Sequence, residues 1–265
     1  MSESSSGPRR LVAVAGKGGT GKTAGVALMA RFFSERPETG RLLLIDADPA
    51  GGLQSALGVK VRRTMGELRE EIIKTARGSD ADAKAELAEK IEYLAFEALT
   101  EQNGFAVLAM GRTETMGCFC PVNALLRDAI GALSKSFDTI LIDGEAGLEQ
   151  VNRQVVRRVD TLLVISDPTA RGIETAEMIK RMVEVDKAMS VERLGLVFNR
   201  VRDSEDVLRE SAARIGIEVF GMVPYDATLA EFDLVGTPIT DLPADSPGLA
   251  AYQGILSDRV LSNGG

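Results

Sequence analysis

Apolar residues cluster in seven short runs, at positions 11–15, 42–45, 105–110, 139–142, 161–165, 194–198 and 218–223. Most are near-continuously hydrophobic rather than alternating, which predicts strands buried on both faces. Between them, apolar positions recur every three to four residues, as over 170–185 and 205–215, and predict amphipathic helices. This β-α alternation points to an α/β fold: a mostly parallel central sheet flanked by helices on both faces. Ligands of such sheets sit beyond the carboxyl ends of the strands. The stretch 64–102 is long, charged and helical in period, and reads as a solvated helical crossover. No repeat or linker interrupts the pattern, so residues 10–265 are expected to form one domain behind a flexible polar tail over 1–9.

Composition narrows the function classes. A chain of 265 residues with 45% hydrophobic content suits one large α/β domain. The formal charge of −8 argues against a nucleic-acid partner, which needs a basic face. No apolar run approaches the ~18 residues of a spanning helix, and the start carries no signal-peptide core. A cytoplasmic protein without a membrane partner is expected. Histidine is absent, which removes Ser-His-Asp and Cys-His chemistry.

The first apolar run leads into Gly16-Lys17-Gly18-Gly19-Thr20-Gly21-Lys22-Thr23, and a helical pattern follows from Ala24. Strand, glycine-rich turn and helix in that order form a cradle for nucleotide phosphates. Its backbone N–H groups and the helix N-terminus converge on one anion. Lys22 would sit on the β- and γ-phosphates of ATP or the β-phosphate of ADP, and the Thr23 hydroxyl on Mg²⁺. The runs 42–45 and 139–142 deliver Asp46-Ala47-Asp48-Pro49 and Asp143 to the same end of the sheet. A carboxylate there holds Mg²⁺ against phosphates, often through water, and Asp143 is the choice for that role. A strand-terminal Asp also caps turns, but three aligned with a phosphate loop form a pattern.

The two cysteines, Cys118 and Cys120, are placed as Gly117-Cys118-Phe119-Cys120-Pro121. Two free thiols can be buried as small apolar groups. Two thiolates two residues apart are also half of a tetrahedral or square-planar metal site, which a two-fold dimer completes. Such a site suits Zn²⁺, Ni²⁺, Cu⁺ or an iron–sulfur cluster, and the residues alone do not choose among these.

Lys17, five positions before Lys22, gives the pattern KGGxGK[ST], which resembles the deviant Walker A ATPases: the nitrogenase iron protein, MinD and ParA, arsenite-pump and nickel-insertion ATPases. The resemblance implies that Lys17 crosses a nucleotide-dependent homodimer interface to the partner's nucleotide. It also implies a catalytic set of Lys17, Lys22 and Asp48, with Asp48 orienting the attacking water and Asp46 lying near Mg²⁺. Asn199-Arg200 and Pro224-Tyr225-Asp226 resemble that family's adenine-side loops.

Residues 110–127 around the cysteines look like CooC-type proteins, ATPases that assist nickel insertion into carbon monoxide dehydrogenase. Asp143-Gly144-Glu145-Ala146-Gly147-Leu148-Glu149, Ser166-Asp167-Pro168, Arg171-Gly172 and Asp241-Leu242-Pro243 support the likeness. It implies an ATP-hydrolysing dimeric metallochaperone that clamps Ni²⁺ or Zn²⁺ between Cys118 and Cys120 of two chains and releases it to a client metalloenzyme. The chain departs from that family at Gly144, where Asn is usual, and at Gln150, where His is usual. Rival expectations are a positioning ATPase like MinD or ParA, an electron carrier like the nitrogenase iron protein, and an ATP-dependent synthetase on the same fold.

Overall fold

The computed structural model describes residues 10–78, 93–102, 104–112, 128–144, 158–185 and 190–262. The proposed tail over 1–9, Cys118, Cys120 and Gln150 lie outside the described residues. Eight strands of the described residues form one sheet: β1 (Arg10–Ala15), β2 (Leu42–Asp46), β3 (Thr100–Gln102), β4 (Phe105–Ala109), β5 (Thr139–Asp143), β6 (Arg158–Ser166), β7 (Ser190–Val201) and β8 (Glu218–Pro224). Their order is β3-β4-β2-β5-β1-β6-β7-β8. Every neighbouring pair is parallel except β3–β4. All seven anticipated strands are present, and β1 lies between β5 and β6.

The described residues include helices α1 (Lys22–Ser34), α2 (Gly52–Leu57), α3 (Met65–Gly78), α4 (Ala170–Glu184), α5 (Glu205–Ile215), α6 (Ala227–Val235) and α7 (Pro247–Leu256), and are also helical at 93–97 and 128–134. Alternate strand residues feed two cores. Leu11, Ala13, Leu43, Ile45, Ile140 and Ile142 pack on one face with Leu68, Ala176, Ile179 and Leu208. Val12, Val14, Leu42, Leu44 and Leu141 pack on the other with Val26, Leu28, Phe32, Leu249 and Tyr252. Two buried faces explain why the strands read as unbroken apolar runs. Helix α1 is apolar nearly all round: Val26, Leu28, Met29 and Phe32 are fully buried. It lies against the sheet beneath α2 and α7, the situation of a helix with little polar face.

One expectation needs correction. The stretch 64–102 begins as helix α3 and is helical again at 93–97, but its last three residues are strand β3. Thr100, Glu101 and Gln102 pair antiparallel with Val107, Ala106 and Phe105. The sequence places Asn103-Gly104 between the two strands, a pair that favours a tight hairpin. Glu101 and Gln102 are exposed on this edge strand, where charge discourages pairing with another chain. Charge and helical period hid the strand.

The contact between α1 and α7 contains an unsatisfied polar group. Tyr252 is 1% exposed, and among the described residues its hydroxyl has no hydrogen-bond partner. A Cβ added to Gly25 of α1 would sit 2.3 Å from that hydroxyl oxygen. Tyr252→Phe removes an unsatisfied buried hydroxyl, worth about 1–3 kcal/mol, and should raise the Tm in thermal melts. Gly25→Ala should lower it through overpacking by about 1–3 kcal/mol. Tyr252→Phe should recover part of that loss, because the tightest contact disappears.

Candidate functional site

The phosphate loop starts where β1 ends. Gly16 adopts φ +145°, and a Cβ there would lie 2.1 Å from the Ile165 carbonyl oxygen of β6, so only glycine lets the loop leave the sheet this closely. Gly21 caps α1 in a left-handed conformation at φ 88° and has no side chain of its own to accept from the first-turn N–H groups, and that turn carries no acidic residue. An α-helix N-terminus in this state is an anion site. Thr20 is fully buried, and its hydroxyl donates to the Lys17 carbonyl at 2.9 Å. The Lys22 ammonium donates to that same carbonyl at 3.2 Å, so one backbone oxygen organises the loop.

The acidic groups arrive by strand register. β2 and β5 are parallel neighbours, and Asp46 stands directly opposite Asp143. Both are buried. Burial pushes the Asp46 carboxyl up to about 6; the Asp48 charge adds to this, and hydrogen bonds from Asp48, Leu53 and Gln54 oppose it. Burial pushes Asp143 up to about 7; the Thr23 hydroxyl and the Lys22 charge pull it down, and the Asp46 and Asp48 charges raise it. Among the described residues, both Asp143 oxygens and one of Asp46 find no well-formed hydrogen-bond partner. Asp48 is half-buried. Its N–H donates to Asp46 at 3.2 Å, and its Oδ1 accepts from the Ala50 N–H at 2.8 Å, which holds the turn after β2.

Asp48 faces a cleft of about 490 Å³ that is also lined by Gly18, Gly19, Gly21, Lys22, Thr23 and Arg200. Its far wall, formed by Phe232, Asp233, Gly236 and Thr237, carried no motif and was missed. A crevice beside it brings together Gly21, Ala24, Asn199, Arg200, Pro224 and Tyr225, so both loops read as adenine-side meet at the helix N-terminus. The Asn199 amide donates to the Thr20 carbonyl at 2.8 Å, its Oδ1 accepts from the Arg200 N–H, and the Arg200 guanidinium donates to the Gly19 carbonyl at 3.0 Å. Arg200 itself has φ 60°, a left-handed backbone uncommon outside glycine. The expectation of an adenine-side role for Asn199 and Arg200 is thus joined by a tie to the phosphate loop that their place after a strand does not signal.

Two other residues are placed by this geometry. The Lys17 ammonium pairs with Asp167 at 3.2 Å, and sequence spacing gave no signal for that contact. Asp226 caps α6, accepting from Leu229, and also accepts from Ser246 at 2.5 Å and from Gly248. Burial alone would raise its carboxyl, but these hydrogen bonds hold it below the usual carboxylate range.

A strand–glycine-loop–helix unit with carboxylates on the adjacent strand ends, in a mostly parallel sheet, defines a P-loop ATPase. The chain belongs to the CobQ/CobB/MinD/ParA nucleotide-binding domain family, whose model matches residues 11–239. It is 36% identical over 237 residues to an uncharacterized ATP-binding protein of Methanocaldococcus jannaschii, covering 89% of this chain and 92% of that one. It is 29% identical over 261 residues to the carbon monoxide dehydrogenase accessory protein CooC of Rhodospirillum rubrum, covering 94% and 97%. The septum site-determining protein MinD of Pyrococcus horikoshii, solved with Mg-ADP, shares the fold with a TM-score of 0.68 at 21% identity, over 96% of this chain and 98% of that one. Among the described residues no helix is long and apolar enough to cross a membrane.

The acidic pair makes stability pH-dependent. Asp46 and Asp143 titrate near 6 and 7 instead of 3.8, so ionising them works against folding. Their favourable contribution is complete at about pH 4 and is lost as pH rises through 6 and 7. In chelator and without nucleotide, the Tm should fall between pH 5 and pH 8. Asp143→Asn should flatten that decline and raise the Tm at pH 8, by about 2–4 °C for each kcal/mol relieved. Identical pH profiles for the two proteins would contradict this account.

Proposed function

We propose that the chain is a cytoplasmic, ATP-hydrolysing metallochaperone, working as a homodimer through a single ATPase domain over residues 10–265. The observation that carries the ATPase half is a cleft lined by Lys22, Thr23 and Asp48, with the buried Asp46–Asp143 pair at the neighbouring strand ends and Asp143 within the influence of Thr23 and Lys22. The metal half is supported by the Cys118-Phe119-Cys120 segment and by 29% identity across 94% of the chain to a carbon monoxide dehydrogenase accessory protein.

In this reading Gly16, Lys17, Gly18, Gly19, Thr20, Gly21, Lys22 and Thr23 cradle the phosphates, and Asn199, Arg200, Pro224 and Tyr225 hold the adenine. Unpartnered buried carboxylate oxygens beside a threonine hydroxyl fit a hard divalent cation. Thr23, Asp46 and Asp143 would hold Mg²⁺, which when bound neutralises charge on the phosphates. Asp48, half-buried and tied by its own turn, orients a water toward the γ-phosphorus; the water oxygen bonds to that phosphorus as the bond to the bridging oxygen breaks, and the water's proton leaves with the phosphate, giving ADP and phosphate. Lys17 of each chain crosses to the nucleotide of the other, so ATP favours the closed dimer only by its higher affinity for that state. Closure brings Cys118 and Cys120 of both chains around one Ni²⁺ or Zn²⁺ ion, the cargo. Its release supplies a client metalloenzyme such as carbon monoxide dehydrogenase.

Two measurements test the halves separately. Lys22→Ala and Asp48→Ala should each lower phosphate release by about 10²–10³-fold while leaving the fold intact; activity near wild type would remove Asp48 from its role. Metal stoichiometry should approach one ion per dimer, shift with the presence of ATP, and vanish in Cys118→Ala/Cys120→Ala. ATPase activity and dimerisation intact in that variant, with no metal in the wild type, would leave a positioning ATPase or a synthetase.

A further inference from the structure

The Lys17 side chain reaches across to the turn between β6 and α4, where its ammonium lies 3.2 Å from Asp167 Oδ2. That carboxylate is held on its other side. Asp167 Oδ1 accepts from the Thr169 hydroxyl at 2.6 Å, and Thr169 in turn caps α4 by accepting from the Gly172 N–H. The Asp167 carbonyl accepts from the Thr169 N–H at 2.8 Å and from the Ser166 hydroxyl at 2.9 Å. Gly172 leaves the space: a Cβ there would meet Asp167 Oδ1 at 2.3 Å. Asp167 is therefore a pre-oriented anion, whereas Lys17 is a long, flexible cation with 36% of its side chain exposed.

We propose that Asp167 is the positioning residue of Lys17: it retains the ammonium on its own chain and thereby sets the ATP concentration at which two copies close. This rests on the dimer reading above. Before Lys17 can reach a second copy's nucleotide, its ion pair with Asp167 must open. Self-pairing lowers the population of chains with a free Lys17, and apparent affinity falls by that fraction. The pair is partly exposed, so the effect is modest. By the usual range for such pairs it amounts to roughly a 1.5- to 5-fold shift. The Lys17 carbonyl also receives Thr20 and Lys22, so the backbone that carries the retained side chain is itself held.

The test is a titration of the full chain with a non-hydrolysable ATP analogue, following dimer formation by analytical ultracentrifugation. Asp167→Asn keeps an oxygen for the Thr169 hydroxyl but removes the charge. It should lower the half-dimerisation concentration by roughly 1.5- to 5-fold per chain. Asp167→Glu, with charge restored, should move it back toward wild type. Lys17→Ala should stay monomeric whichever residue stands at 167. Loss of a merely structural contact would lower the Tm and leave the titration midpoint unchanged or raised, and either midpoint result overturns the proposal. A wild-type chain that stays monomeric at saturating analogue removes the dimer reading, and the retaining role with it. A dimerising wild type with an unmoved Asp167→Asn midpoint removes the retaining role alone.

Discussion

The register between β2 and β5 is the constraint on which the nucleotide-facing edge depends. Parallel pairing places Asp46 opposite Asp143, and the two apolar cores on either side leave both carboxyls dry. A slip of one residue would turn every inward side chain of β2 to the other face. Core packing and acidic chemistry are thus fixed by the same backbone hydrogen bonds. The carboxyls are raised chiefly because the sheet that positions them also desolvates them.

The phosphate loop is specified just as tightly, from three directions. β6 approaches Gly16 from the sheet, Asn199 and Arg200 at the end of β7 hold the Thr20 and Gly19 carbonyls, and Thr20 and Lys22 converge on the Lys17 oxygen. All of these contacts run between residues of the chain itself. They hold the N–H groups of the loop and of the α1 N-terminus in a shape that needs little rearrangement to receive an anion, the condition for electrostatic stabilisation without a reorganisation cost.

Much of this was legible in the sequence because it is local. Strand runs follow from two-sided burial, the glycine loop from its spacing, and the three aspartates from their positions at strand ends. What stayed hidden is long-range or conformational. The Lys17–Asp167 pair joins residues 150 apart in sequence, and no periodicity encodes it. Asn199 and Arg200 were visible as polar residues after a strand, but their hold on the loop depends on a left-handed backbone at Arg200. β3 was masked by charged residues that suit an edge strand as well as a helix. The cleft wall at Phe232 and Asp233 belongs to a helix whose sequence carries no chemical signature.

That wall belongs to α6, which has no buried residue and leaves Leu234 and Val235 85% and 66% exposed. Helix α1, on the opposite side of the cleft, is buried almost throughout. The two walls therefore sit at opposite ends of the local-stability scale, since opening free energies follow buried contact. The amides of α1 are expected to exchange slowly and those of α6 faster. Any breathing of the cleft falls to the less buried of its two walls.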